Sequence, residues 1–518
     1  MSKSISSLSD LEKLESQIAK ILRKLKLGDV LSSLHLLNKS SPIPKPFMVA
    51  GLALFAARFC ASSKSTQLRK NCNIRSLIAL SNKYYLADPT VFDQHLRNEF
   101  SKNPIFTVLR LANSQFTFES GIFSLFSRSV LLFHEIPNQL KGLPNIPQFD
   151  FEAEFQTINE VSIIDFITTG FAIFNTSKLV EEYNSYIFCQ DLLQKIREAG
   201  VKIPTGSTLR KTLDQLAADK FKLTELYEKR KNVDRRFRMY DFNPLITHPV
   251  IKPYQDRGFN TLGKEYLHVP IPDLLALRIS TGIFYQMYNA HSTDSGNKFS
   301  EYFGYVFETY VGLVLGKSVS SEQLISESDI RKFYPTNKGK APDWILIDGS
   351  TLILFECKAT RFSRAAQAIA SEEAVNESLK QVIKGLKQLD SFISDCKTRT
   401  PELERFQSFT TIRPILVSLE MLYLINTSFF RDHINTLLAA EGITNLDWQI
   451  ISINELEAFQ PHIAAGIKLS TILDDLKQKT FNDVLKDLIS QTNKTFADSF
   501  LYPKQEELWQ RLGIHPQV

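Results

Sequence analysis

The sequence predicts a multidomain protein in which a mostly α-helical N-terminal region is followed by an α/β domain with a mixed central sheet. The chain has 518 residues, which is too many for one ordinary hydrophobic core. Apolar residues recur at helical spacing from near the start as far as about Leu226. From about residue 297, predicted helices alternate with short apolar strands, and this alternation is typical of an α/β domain.

Shifts in composition and the positions of proline residues divide the chain further. We predict four regions: residues 1–226, helical, as one or two domains; residues 227–296, a basic and proline-punctuated connector with a helix; residues 297–460, the α/β domain; and residues 461–518, C-terminal helices. The basic stretch at 228–238 has two interpretations, either the solvated end of a helix or a ridge that contacts phosphate groups.

Composition excludes several classes of protein. The net charge of +5 is small for this length, so it permits a local nucleic-acid-binding face without arguing for one. Five scattered cysteines without a CxxC pair argue against a disulfide framework or a zinc site, and favour a reducing cytoplasm. The most apolar stretch, residues 47–57, is too short to span a bilayer, so we expect a buried helix and no membrane partner. No Walker-type loop is present, so we expect that this chain does not itself hydrolyse ATP.

The predicted α/β domain begins with a helix and continues through alternating elements. In order, these are a helix at about 299–316, a weak strand around 323–327, strands at 343–347 and 351–359, a long amphipathic helix at about 363–395, a strand at 412–422, a helix near 429–440 and a last strand at 448–453. Such a series predicts a mixed sheet covered by helices.

The strand that ends at Lys358 carries the most informative residues. Residues 352–355 are apolar on both faces, so we expect this strand to be buried within the sheet. Side chains alternate along a strand, so Glu356 and Lys358 share one face and Cys357 points to the other, into the core. Burying a charged pair at the end of such a strand is costly unless a metal or a substrate compensates.

Asp343 opens the preceding strand, and a hairpin connects the two strands. With a two-residue loop at 348–349, Asp343 becomes a diagonal neighbour of Glu356 on the same face. With the loop at 349–350, Asp343 lies directly opposite Glu356. Only an odd-numbered loop would separate them, so either even register brings both carboxylates within reach of one hard cation, with Lys358 alongside.

This grouping suits phosphodiester hydrolysis. Carboxylate oxygens are the ligands that Mg²⁺ or Mn²⁺ prefers, and such an ion keeps positions for water and for substrate phosphate oxygens. A bound ion lowers the pKa of its water and neutralises developing charge, while Lys358 can orient that water or stabilise the phosphate.

Pro342-Asp343, a spacer of a dozen residues and then Glu356-Cys357-Lys358 at the end of an apolar strand resemble the PD-(D/E)xK nuclease superfamily. The resemblance covers roughly residues 297–460. It implies a restriction-endonuclease-like fold, in which helices flank a mixed central sheet.

The superfamily commonly has a glutamate on the helix before the sheet, and Glu308 matches that place. Its helical neighbours, Gly304 and Gly312, would let this helix approach the sheet closely. A polar residue often lies on the helix after the motif, and either Gln381 or Gln388 would fill that role, contacting nucleic acid.

Three basic residues near the motif are candidate phosphate contacts. Arg361 and Arg364 follow the strand, and Lys340 precedes Asp343. As surface residues they would equally well have no specific role. Trp344 points away from Asp343 and is interpreted as a core residue.

The resemblance implies a Mg²⁺- or Mn²⁺-dependent nuclease that cuts DNA, in defence against foreign DNA. Asp343, Glu356 and Glu308 would bind the metal, and Lys358 would position the attacking water. The helical region would recognise a nucleic acid, a protein or an activating signal. Two alternatives remain open: an RNA nuclease, and a non-catalytic nucleic-acid-binding or protein-interaction scaffold that retains the fold.

Overall fold

Helices form most of the first half of the chain. In this computed structural model the described residues are 5–25, 27–40, 46–60, 74–100, 109, 122–179, 197–198, 200, 202, 204, 206–252, 267–293, 296–337, 339–362, 371–398, 401–422 and 425–514. The chain folds into two units. The helical unit comprises Met1–His134, Asp150–Ala290 and Gln505–Val518, and the sheet unit comprises Glu135–Phe149 and His291–Lys504.

The described part of the helical unit consists mainly of α-helices. These helices are Leu8–Leu22, Leu27–Ser40, Pro46–Phe59, Ile74–Tyr85, Pro89–Phe92, Gln94–Phe100, Ile122–Val130, Phe151–Asn159, Ile163–Leu179, Ser207–Leu216, Lys220–Arg230, Pro272–Arg278 and Thr281–Ala290. Two short parallel strands, Ala217–Asp219 and Val250–Lys252, pair with each other. The helical N-terminal region predicted from apolar spacing is confirmed.

Apolar helices supply the interior of the helical unit. The helix Pro46–Phe59 buries Leu52 and Phe55, as expected for the apolar stretch at 47–57. Among the described residues, no single helix is long and apolar enough to cross a membrane. One bent pair, Phe151–Asn159 with Ile163–Ser177, meets that criterion by length and composition alone, with a bend of 56°.

Three arginines of the basic stretch at 228–238 form ion pairs inside the helical unit. Arg235 donates to Asp241 at 2.8 Å. Arg236 and Arg238 pair with carboxylates that are near and far in sequence: Asp234, Asp93, Glu12 and Glu15. These three arginines therefore join segments of the helical unit, whereas residues 228–231 are exposed at the end of the helix Lys220–Arg230, as the first interpretation expected.

The sheet unit alternates helices and strands, as the sequence predicted. A short helix, Ile136–Leu140, belongs to this unit, and a two-residue hairpin pairs Ser292–Thr293 with Gly296–Asn297. The main elements are α1 (Lys298–Gly316), β1 (Leu324–Ser326), α2 (Glu327–Phe333), β2 (Trp344–Asp348), β3 (Thr351–Lys358), α3 (Glu372–Lys397), β4 (Thr411–Ser418), α4 (Ser428–Ala440), β5 (Gln449–Ser452), α5 (Ile453–Ala464), α6 (Leu469–Leu476) and α7 (Phe481–Thr492). A last helix, Tyr502–Arg511, begins among the final residues of the sheet unit.

The central sheet has five strands in the order β1-β2-β3-β4-β5. β1, β2 and β3 are antiparallel neighbours, whereas β3, β4 and β5 run parallel. The predicted mixed sheet is therefore confirmed. β3 lies at its centre, and residues 351–356 are all buried, because a strand covered on both faces needs apolar side chains on both.

The hairpin between β2 and β3 adopts the second of the two predicted registers. Asp348 pairs with Thr351, so the loop is Gly349-Ser350. Gly349 has φ +66°, a left-handed conformation that glycine adopts without strain. Beyond β2 the ladder becomes irregular, because the N–H of Asp343 donates to the carbonyl oxygen of Phe355, the residue that already pairs with Trp344.

Two helices cover opposite faces of the sheet at β2 and β3. A Cβ atom on Gly312 of α1 would lie 2.0 Å from the Trp344 ring. A Cβ atom on Gly385 of α3 would lie 3.1 Å from Cγ of Glu356. Trp344 pairs with Phe355, so it points to the face opposite that of Glu356. Each glycine therefore marks a close approach of one helix to one face.

The expectation for Gly304 is wrong. This residue is exposed, and a Cβ atom there would have no neighbour within 4 Å. Gly312 meets the expectation because Trp344 is reached by the helical turn after Glu308, not by the turn before it.

Candidate metal centre

Asp343 is held by backbone hydrogen bonds between the ends of β1 and β3. Its N–H donates to the carbonyl oxygen of Phe355 at 3.0 Å, and its carbonyl oxygen accepts from the N–H of Glu327 at 2.8 Å. Its side-chain Oδ2 accepts from the N–H of Cys357 at 2.6 Å. These bonds fix the carboxylate beside the last residues of β3.

Glu356 and Lys358 form an ion pair on one face of β3, as the alternation of the strand predicted. Lys358 Nζ donates to Glu356 Oε1 at 2.5 Å. The Glu356 side chain is only 1% exposed. Its second oxygen, Oε2, is buried and has no hydrogen-bond partner among the described residues. An unmet buried carboxylate oxygen is costly, so the geometry leaves an acceptor for a group from outside the chain.

Three further carboxylates converge beside this pair. Oxygens of Glu308, Glu327 and Asp343, hereafter the acidic group, all lie within 4.8 Å of one another. In an octahedral Mg²⁺ site, neighbouring ligand oxygens are about 2.9 Å apart and opposite ones about 4.2 Å apart, so the three oxygens would draw closer together around an ion. The residues present therefore fit a hard divalent cation. Glu356 stands next to the acidic group rather than within it.

Glu308 reaches the acidic group from the middle of α1. The Trp344 indole N–H donates to the Glu308 carbonyl oxygen at 3.1 Å, which fixes this turn of the helix against β2. Trp344 is half-buried and packs α1 against β2. This position is close to the core position that the sequence predicted for it.

Glu327 was not identified from the sequence. It follows the weak predicted strand at 323–327, now β1, and is the first residue of α2. Ser326 pairs with Trp344, so the next position places Glu327 opposite Asp343. No hairpin joins β1 to β2, so their register could not be derived by counting loop residues. The only local signal was a carboxylate at the end of a strand.

Burial governs the protonation of these carboxyl groups. Burial and then the charge of Asp343 raise the pKa of Glu308 to about 8. The same two causes raise the pKa of Glu356 to about 8. Burial raises the pKa of Asp343 to about 6, although Lys358 partly opposes the shift. For Lys358, burial alone would lower the pKa, but Glu356 outweighs it and the pKa is raised. The centre thus retains protons that a divalent cation would displace.

The net charge of the centre matches a divalent ion. When ionised, the acidic group and Glu356 carry four negative charges. Lys358 supplies one positive charge, and Arg331, which pairs with Glu327 at 2.8 Å, supplies a second. Two negative charges remain, which one divalent cation would neutralise.

The two glutamines predicted as nucleic-acid contacts lie on α3. Gln381 is exposed and Gln388 is half-buried. They stand four residues before and three residues after Gly385, which touches Glu356 and Lys358, so helical spacing places both on that side of α3. Both glutamines therefore remain candidates for the contact with nucleic acid.

Two of the three predicted phosphate contacts lie among the described residues. Lys340 is exposed before Asp343, Arg361 is half-buried after β3, and Arg364 lies outside the described residues.

Cys357 is half-buried, and burial raises the pKa of its thiol well above the usual value. The thiol therefore stays neutral, in keeping with the core role expected for it rather than that of a nucleophile.

Comparison of the chain with family models, with curated proteins and with solved structures gave no match.

Proposed function

We propose that the sheet unit is a divalent-metal-dependent nuclease of the PD-(D/E)xK type and that it hydrolyses phosphodiester bonds in DNA. The observation that supports this most directly is the buried, unpartnered Oε2 of Glu356, which lies beside the acidic group and Lys358. The mixed sheet flanked by α1 and α3 supports a restriction-endonuclease-like fold, because this is the arrangement that the sequence resemblance implies.

In the proposed reaction, the side chains of the centre have different roles. Mg²⁺ or Mn²⁺ in the centre would supply Lewis-acid chemistry and acidify a water molecule. Asp343, Glu308 and Glu356 would hold such an ion through carboxylate oxygens. Lys358 donates hydrogen bonds to the attacking water or to the phosphate oxygens. The water oxygen bonds to phosphorus and the bond to the leaving sugar oxygen breaks, which gives a phosphomonoester and a free hydroxyl group.

The sequence resemblance also supports the substrate and the setting. Many stand-alone enzymes of this superfamily act on foreign DNA, so we assign a defence role to this chain. The helical unit would recognise DNA, a protein or an activating signal. The scattered cysteines support a reducing, cytoplasmic setting.

Cleavage of supercoiled plasmid and of end-labelled linear DNA tests the function. The full chain is assayed with Mg²⁺, with Mn²⁺ and with EDTA, beside Asp343→Asn and Lys358→Ala. We expect metal-dependent cutting that falls by about 100-fold or more in both variants, because each removes a group that acts on the transition state. Glu322→Gln, an exposed carboxylate just before β1, is the matched control and should cut like the wild type.

Two other outcomes of these assays would identify the alternative functions, an RNA nuclease and a non-catalytic scaffold. Cutting of RNA but not of DNA, lost in the same two variants, would make the chain an RNA nuclease. Tight Mn²⁺ binding without cleavage of either nucleic acid would contradict the proposal and indicate a scaffold that retains the fold.

A further inference from the structure

Glu327 lies at the junction of β1 and α2, next to Asp343 on the neighbouring strand. Its N–H donates to the Asp343 carbonyl oxygen at 2.8 Å. Asp343 in turn lies beside the end of β3, where its Oδ2 accepts from the N–H of Cys357 at 2.6 Å. The edge of the sheet therefore carries a row of three carboxylates, one from each of three adjacent strand ends.

Arg331 fixes the orientation of this carboxylate. Its Nε and Nη2 donate to Glu327 Oε1 at 3.0 and 2.8 Å. Its Nη1 donates to the Gly339 carbonyl oxygen at 2.8 Å, in the segment that leads to Asp343. Both bonds to Glu327 end on Oε1, so the guanidinium sets the plane of the carboxylate without binding its second oxygen.

We infer that Glu327 is a direct ligand of the divalent cation, together with Glu308 and Asp343, and that Glu356 completes the centre with its unpartnered Oε2. This inference rests on the proposed function, since it concerns the same metal centre, and it adds a ligand that the sequence motif lacks. Two independent observations carry it: the 4.8 Å convergence of the acidic group, and the buried orphan oxygen beside it.

The donor set specifies the class of ion. All donors are carboxylate oxygens, which suits hard divalent cations such as Mg²⁺ and Mn²⁺ and disfavours soft, thiolate-seeking metals. Glu327 is partly exposed, with 35% of its side chain accessible, so the ion can enter from that side without opening the sheet.

Mn²⁺ binding to the full chain, measured by calorimetry without nucleic acid, tests the inference. We expect Glu327→Gln to weaken Mn²⁺ binding by about 100-fold or more, since loss of a ligand should exceed the roughly 10–100-fold loss caused by removing an outer partner. Asp343→Asn should weaken it at least as much. Asp329→Asn is the control, because Asp329 lies on the same helix and pairs with exposed Lys332, and it should bind Mn²⁺ like the wild type.

Thermal unfolding in EDTA shows whether each variant is folded. Should Glu327→Gln not fold, Glu327→Asp replaces it; this variant keeps the charge on a shorter side chain and should bind Mn²⁺ more weakly than the wild type. Wild-type Mn²⁺ affinity in the folded Glu327 variant, with weakened binding in Asp343→Asn, would overturn the inference. So would the absence of any Mn²⁺ binding by the wild type.

The inference and the proposed function can fail separately. A wild-type chain that binds Mn²⁺ through Glu327 but cleaves neither DNA nor RNA supports the inference and rejects the nuclease. A wild-type chain that cleaves DNA, beside a Glu327→Gln variant with unchanged Mn²⁺ affinity, supports the nuclease and rejects the inference.

Discussion

The side chains of Glu308 and Asp343 are half-buried, and that of Glu356 is fully buried. Burial disfavours their charged forms, and the charges of their neighbours add to the effect for Glu308 and Glu356. Such clustering costs stability in a protein that has no use for it. A bound cation reverses that cost, because it favours the charged form of every carboxylate around it.

Stability without metal should therefore fall as the pH rises. The pKa of Glu356 is raised by burial to about 8 in the folded protein, above its ordinary value of 4.5. Between these values the folded state binds more protons than the unfolded state. The resulting stabilisation is complete below the ordinary value and is lost as the pH rises through about 8.

Urea unfolding in EDTA from about pH 5 to about pH 9 measures this effect. Glu356→Gln should flatten the decline, because the amide does not titrate. Glu322→Gln should leave the decline unchanged. A wild-type stability that rises over this interval would show that the carboxyl groups are ionised without metal.

The helix α1 approaches the sheet closely at Gly312. Gly312 lies against the Trp344 ring, and the Trp344 indole holds the Glu308 carbonyl oxygen. The distance between helix and sheet therefore determines where Glu308 lies. On the opposite face, Gly385 gives α3 a similar approach to Glu356 and Lys358.

Gly312→Ala should destabilise the protein by about 1–3 kcal/mol, because its Cβ would overlap the indole and force the helix outward. The same shift should move Glu308 away from the acidic group and weaken Mn²⁺ binding. Gly304→Ala is the matched control on the same helix. There a Cβ atom meets nothing within 4 Å, so the substitution should stabilise the helix, by about 0.5–1 kcal/mol.

Urea unfolding and calorimetry of both variants test this account. Equal stability of Gly312→Ala and the wild type would mean that α1 can move outward without cost, and that Glu308 is not held by this contact.

All four carboxylates of the centre belong to the sheet unit. A cation that binds only the folded state lowers the population of locally opened states around its ligands. Its effect should therefore be confined to the segments that supply those ligands, and the helical unit supplies none among the described residues.

Hydrogen exchange followed by mass spectrometry tests this distribution. Saturating Mg²⁺ should slow amide exchange in α1 and across residues 324–358. It should leave the helix Pro46–Phe59 unchanged. Asp343→Asn should show no Mg²⁺-dependent protection, and protection spread over both units would contradict a centre confined to the sheet unit.

Local patterns in the sequence determined a large part of this structure. Apolar spacing specified the helices, and alternating strands specified the sheet, because both depend on periodicities within one element. The shared face of Glu356 and Lys358 followed from the alternation of one strand. The hairpin restricted Asp343 to two registers, both of which place it beside Glu356.

Only the tertiary structure decided the remaining features, because they depend on partners distant in the chain. The pairing of β1 with β2 brought Glu327 to Asp343, and no turn between these strands encodes that register. The position of Trp344 distinguished Gly312 from Gly304, which occupy equivalent places along the helix. The sequence by itself thus determined which carboxylates one strand pair presents. Long-range packing decided which others join them, since burial and strand pairing depend on the whole fold.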